Sequence, residues 1–128
     1  MRKLDGYYDI QFDHESRLVR VTTLGFWDMG IFERFAADIA DVIALTGRDC
    51  DNLVNSEAIR VHPPEVAEAL GRLAQHETLS FTGRIAIVSS SSLKKMQNKR
   101  SLGEGRFRYF ASEDEASQWL ASSKSRQL

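Results

Sequence analysis

Four consecutive serines, Ser89-Ser90-Ser91-Ser92, with Lys94 and Lys95 close behind, form the segment best suited to binding chemistry. They directly follow the most apolar stretch of the chain, Ile85-Ala86-Ile87-Val88, and they open a segment of helical composition. A helix N-terminus presents unsatisfied N–H groups and the positive end of the helix dipole. Lysines in its first turn add formal charge. In open α/β sheets, ligands gather at the carboxyl ends of strands. Ser91, Ser92, Lys94 and Lys95 therefore make a candidate anion-binding site for a phosphate or carboxylate. The run lacks the glycines of a phosphate-binding loop, and serine in this position also serves simply as a helix cap.

The remaining reactive residues do not form a catalytic set. His14, His62 and His76 fall in different elements, and none pairs at the i, i+4 spacing of a helical zinc site. Cys50, the single cysteine, has no cysteine partner and sits between Asp49 and Asp51, whose charge disfavours a thiolate. No metal, no cofactor and no enzymatic activity is expected. Phe107, Tyr109 and Phe110 lie among Arg106 and Arg108, a mixture that can stack on single-stranded bases. The same alternation describes a strand with one buried face, and a pI near 6.3 is not a basic footprint, so nucleic acid is not expected as a partner.

Composition fits an ordinary globular domain. The chain has 128 residues, 42% apolar and 27% charged, which predicts one domain over 1–128 with an ordered core at about 7–121. A lone cysteine fits a reducing cytoplasm. No apolar run approaches the ~20 residues of a membrane span, and none follows Arg2-Lys3 as in a signal peptide. The net charge of −1 is uneven: Arg84 to Arg108 holds seven basic residues and one acid, Glu104. A solvated surface explains such a segment, and steering of an anionic partner is the functional alternative.

Periodicity gives the elements. Tyr8, Ile10 and Phe12 alternate with polar residues, as do Val19, Val21 and Thr23, and the short polar link between them predicts a hairpin. Asp28 is placed to cap a helix whose stripe is Phe32, Phe35, Ala36, Ile39, Val42 and Ile43, ended by Gly47. Asn52–Ser56 is a short strand. Pro63-Pro64 opens a second helix with Val66, Ala69, Leu70, Leu73 and Ala74 on its apolar side. Phe81–Ser89 is a buried strand, Ser91–Leu102 a helix and Arg106–Phe110 a last strand. Ser112 and Glu115 form a capping box for a final helix carrying Ala116, Trp119 and Leu120. The predicted fold is α/β, a mixed five-strand sheet in the order β-β-α-β-α-β-α-β-α, with parallel neighbours after the opening hairpin.

This order, the Gly25-Phe26-Trp27-Asp28 junction into a long helix, and the ending from Arg108 to Leu120 resemble STAS-like proteins, the family of sulfate transporters and anti-sigma-factor antagonists. The resemblance spans about Tyr7 to Ala121 and is nearest the stand-alone, uncharacterised bacterial branch. It implies a non-enzymatic module that binds a partner protein, or acts as a homodimer. The alternative is a small anionic or amphipathic, lipid-like ligand, because the fold is related to lipid-transfer domains with an apolar pocket. In the antagonist branch a serine in an Asp-Ser-Ser-Gly motif is phosphorylated. Here the motif reads Asn55-Ser56-Glu57-Ala58, so the resemblance implies Ser56 as the phosphoswitch position. A phosphate there would meet the like charge of Glu57.

Overall fold

The computed structural model describes residues 2–77, 79–91 and 107–125. The hairpin forms as its alternation requires. Strand β2 (Tyr8–Asp13) pairs antiparallel with β3 (Leu18–Gly25), and Tyr8, Ile10, Phe12, Val19 and Val21 are all buried on one face. Helix α1 (Met29–Thr46) follows. The Asp28 carboxylate accepts the Ile31 N–H at 2.9 Å, which satisfies a donor that the helix itself cannot. Gly47 ends the helix at φ 86°, a conformation that costs a side chain but not glycine, and its N–H donates to Ile43 O.

Strand β4 (Asp51–Ile59), helix α2 (Pro64–Ala74) and strand β5 (Ile85–Val88) come next. Strand β6 (Phe107–Phe110) and helix α3 (Glu113–Ser125) complete the described elements. The Glu115 N–H donates to Ser112 Oγ at 3.3 Å, as the capping box predicts. The helix expected over Ser91–Leu102 falls outside the described residues beyond Ser91. Among the described residues, no helix is long and apolar enough to cross a membrane.

Among the described residues the sheet has six strands, not five. Strand β1 (Arg2–Asp5) adds antiparallel to β2, with Arg2 opposite Gln11 and Asp5 opposite Tyr8. Its sequence has no apolar alternation because it buries little: Leu4 is 68% exposed. Backbone pairing and charge hold it. Arg2 meets Asp9 at 3.0 Å, Lys3 meets Asp41 at 3.2 Å, and Asp5 meets Arg34 at 3.1 Å. The last two tie the edge strand to α1.

All six strands lie in chain order, β1-β2-β3-β4-β5-β6, and from β3 onward each neighbour is parallel. Successive right-handed crossovers that step in one direction put their helices on one face. Accordingly, α1 and α2 cover the face that carries Ile10, Val21 and Phe81. Helix α3 packs on the opposite face, where Ala116 and Leu120 meet Leu18, Leu53, Ala86 and Val88. Trp119 lies there against Phe110, with the guanidinium groups of Arg84 and Arg108 over its ring at 4.9 and 5.2 Å.

The chain reaches β5 through a tight bend at Thr82-Gly83. A Cβ at Gly83 would collide with the Cys50 carbonyl, so the bend demands glycine. It also shortens the strand expected from Phe81: that side chain is in the core, but it precedes the ladder.

Loss of the α1 cap gives a direct check. Asp28→Ala is expected to cost about 1 kcal/mol and lower Tm by roughly 3–6 °C in a thermal melt followed by circular dichroism.

Candidate functional site

The carboxyl ends of β3, β4 and β5 bring together Ser56, Glu57, Ser90 and the Gly25–Trp27 junction. Strand β4 runs past the expected end at Ser56, to Ile59, and it is irregular there. Thr22 pairs with Asn55 but Leu24 pairs with Ala58, so β4 carries one extra residue. Ser56, 7% exposed, keeps the inward alternation of Asn52 and Val54, and the bulge after it leaves Glu57 and Ala58 both facing out and returns Ile59 to the core. The Asn55 side chain supports the bulge, Oδ1 accepting the Glu57 N–H at 3.0 Å.

Glu57 then reaches across to the serine run. Its carboxylate accepts the Ser90 N–H at 2.6 Å and the Ser90 hydroxyl at 2.9 Å. Charged acceptors make the stronger kind of hydrogen bond. An external anion at Ser90 would therefore compete with a carboxylate of the same chain. Of the candidate anion site, Ser91 is partly buried just past β5, while Ser92, Lys94 and Lys95 lie outside the described residues. Ser56 does not join that cluster, because its side chain faces the interior.

Behind the bulge lies an apolar cavity of about 150 Å³ between the inner sheet face and α1 and α2. Val54 and Ile87 form its floor, Phe35 and Leu70 its roof, and Trp27 and His62 line it as well. Trp27 is 1% exposed; its indole N–H is shared between Tyr7 O at 3.1 Å and Leu24 O at 3.2 Å. The His62 ring packs 5.7 Å from the Trp27 ring. Burial disfavours its charged form and pushes its pKa down to about 4. His62 is therefore a neutral imidazole at pH 7.

The other expected reactive residues are structural. Cys50 is buried in the core, with Arg17 Nη2 3.5 Å from its sulfur. His14 stacks edge-on against Phe12, and His76 Nδ1 accepts the Leu79 N–H at 3.1 Å. Phe107 lines the cavity and Arg108 covers Trp119, so these two face opposite sides of the sheet. Among the described residues, no group of three or more His, Cys, Asp or Glu side chains is placed to hold a metal ion.

No family model matches the chain, and no curated protein does. Solved structures do. An uncharacterised DUF3478-family protein with a SpoIIAA-like fold, from Shewanella loihica PV-4, superposes with a TM-score of 0.67 at 17% identity, over 94% of this chain and 98% of its own. The fold is SpoIIAA-like. An anti-sigma factor antagonist from Mycobacterium paratuberculosis gives a TM-score of 0.63 at 11% identity, over 93% of this chain and 98% of that one. At these identities the likeness is one of architecture. The STAS-like resemblance carried by the junction at Trp27 and by the C-terminal segment holds at that level.

Within the SpoIIAA-like frame, two features escape sequence reasoning. Glu57 and Ser90 are 33 residues apart, and no local pattern links them. The cavity is hidden too, because Leu70 and Leu73 occupy the same helical stripe whether they pack tightly or line a void. The one available signal is His62 beside Pro63, a histidine at the mouth of a helix.

The depressed His62 pKa has a definite sign. Below pH 6.5 the unfolded chain takes up a proton that the folded chain refuses, so stability falls as pH drops from about 6.5 towards 4. Across this window the loss is expected to be roughly 2 kcal/mol. Urea melts of the wild type and of His62→Gln at a series of pH values check it: the variant should lose less stability over the same range.

Proposed function

We propose that this chain is a non-enzymatic regulatory module of the SpoIIAA-like type that works by docking a partner protein at the carboxyl ends of β3 and β4. One observation carries the reading. Phe26 is 52% exposed, Tyr7 40% and Val61 38%, and all three lie at that end of the sheet. The Tyr7 ring stands beside Gly25. The Arg60 N–H donates to Gly25 O at 2.8 Å, which sets Val61 next to the Phe26 segment. Large apolar side chains left exposed together mark an interaction surface, and aromatic residues supply most of the energy at such contacts.

The shared fold of an anti-sigma factor antagonist supports a protein as the partner. The chemistry of the site supports it as well. Ser90 is held by Glu57 and Cys50 is enclosed in the core, so neither is placed as an exposed nucleophile. We place the module in the cytoplasm, where a lone buried thiol remains reduced. Phosphorylation of Ser56 is not needed for docking at Phe26 and Val61.

The paired variant Phe26→Asp, Val61→Asp tests this reading. Both positions are at the surface, so stability should change by no more than about 1 kcal/mol. Purified from its own host with a crosslinker, the wild type is expected to carry a defined protein partner that the paired variant loses. Retention of the same partner by the variant, or no partner on the wild type, would remove the basis of the reading.

A further inference from the structure

We propose that Arg84, Arg108 and Trp119 form a second docking surface, on the α3 side of the sheet, and that it takes a short acidic segment of a protein with carboxylates at alternate positions. Arg84 leads into β5 and Arg108 lies in β6, on neighbouring parallel strands. Both side chains reach the same indole: their guanidinium carbons stand 4.9 and 5.2 Å from the centre of the Trp119 ring. Phe110 backs that ring at 5.6 Å. Trp119 is half-buried and Arg108 exposed, so the cluster lies at the surface.

A cation–π contact orders a guanidinium without neutralising it. Among the described residues, neither Arg84 nor Arg108 forms an ion pair, whereas Arg2, Arg17 and Arg34 each meet an aspartate. The segment that joins β5 to β6 does not reverse the sign: residues 89–106 hold five basic residues and one acid, Glu104. Two ordered cations are thus gathered at one spot, and the fork of a guanidinium matches a carboxylate with two parallel hydrogen bonds.

The surroundings decide the kind of anion. One exposed ion pair contributes little, so a lone small anion binds weakly here, while several carboxylates on one chain act together. In an extended segment, acids at i and i+2 point the same way about 7 Å apart, a reach that two cations on one ring can share. Acids also fence the patch. Asp51 lies beside Arg84, its Oδ1 accepting the Arg84 N–H at 3.0 Å. Glu113, Asp114 and Glu115 are exposed in the first turn of α3, past the carboxyl end of β6. A long polyanion such as a nucleic acid would run onto these carboxylates. Its bases would also need an open aromatic face, and the Trp119 ring is already engaged by two guanidinium groups and Phe110. A short acidic peptide fits between the fences.

This surface is distinct from the docking patch, since Arg84 stands at the amino end of β5 while Phe26 and Val61 follow the carboxyl ends of β3 and β4. The full chain is titrated at low salt with acetyl-Gly-Glu-Ser-Glu-Ser-Glu-Gly-amide, with its Gln-for-Glu counterpart, with oligothymidylate and with inorganic phosphate. The Trp119 indole N–H and the Arg84 and Arg108 Nε–H signals are followed by NMR. The acidic peptide is expected to shift them saturably and to bind about tenfold more weakly at physiological salt. The glutamine peptide should leave them unmoved, and oligothymidylate and phosphate should bind more weakly than the acidic peptide. Arg84→Gln with Arg108→Gln should weaken the acidic peptide at least about tenfold. Arg108→Glu alone, at an exposed position, supplies the same loss if the pair does not fold. Lys3→Gln, at the far edge of the sheet, should change nothing. The paired Phe26→Asp, Val61→Asp variant should bind the peptide as the wild type does, whatever becomes of its partner. Absence of saturable shifts with the acidic peptide, equal binding of the glutamine peptide, unchanged binding by the arginine variants, or tighter binding of oligothymidylate or phosphate would overturn the proposal.

Discussion

The architecture turns on the indole of Trp27. One N–H is shared by two carbonyls, Tyr7 O in the β1–β2 turn and Leu24 O at the end of β3. The ring packs against Tyr8, Phe35 and His62 at centroid distances of 5.9, 5.0 and 5.7 Å. Four segments are fixed at this point: the first turn, the end of β3, helix α1 and the loop into α2. Because Trp27 immediately precedes the Asp28 cap, its seat also sets the angle at which α1 leaves the sheet. That angle decides how far Phe35 and Ile39 stand above Val21 and Val54, and so whether a void is left between them. Tyr8 reinforces the arrangement from below, its hydroxyl donating to Asp38 Oδ2 at 2.6 Å. Burial and the neighbouring carboxylate both raise the pKa of that phenol, which keeps it protonated as a donor.

Much of this framework is legible in the sequence because it rests on local signals. Alternation from Tyr8 to Phe12 and from Val19 to Thr23 defines the hairpin, and Asp28 and Gly47 bracket α1 by their chemistry alone. What is not legible depends on partners distant in the chain. The strand at Arg2–Asp5 buries almost nothing, so it lacks the apolar period by which strands are recognised; its ion pairs to α1 lie 29 and 38 residues away. The bulge at Ser56 comes from the register of β4 against β3, and polar residues such as Asn55-Ser56-Glu57 look like a turn until that pairing is known. The serine run attracts attention for its capacity to bind an anion. Its described part is held by a carboxylate of this chain, a contact that only the parallel stacking of β4 and β5 creates.

The outer patch and the inner cavity share one stretch of backbone. Phe26 is half-exposed and Trp27 is buried; Val61 is exposed and His62 lines the cavity. At two neighbouring points the chain thus places one side chain outward and the next inward. The wall between the exposed apolar patch and the inner cavity is here a single layer of peptide. Glu57 lies on the same layer and fastens it to the end of β5.

The chain-order arrangement of the strands has a consequence for biosynthesis. Each strand's ladder partner is the strand made just before it, so no strand waits for a distant segment before it can be zipped into the sheet. Only the opening hairpins close short loops; Leu18 must find Asp51 and Asn52 must find Ile85 across a whole helix, so the parallel half of the sheet forms more slowly. As the chain leaves the ribosome N-terminus first, the growing sheet always offers a template to the next strand. The unpaired edge moves outward one strand at a time and comes to rest at β6, where α3 folds back across the sheet to cover the opposite face.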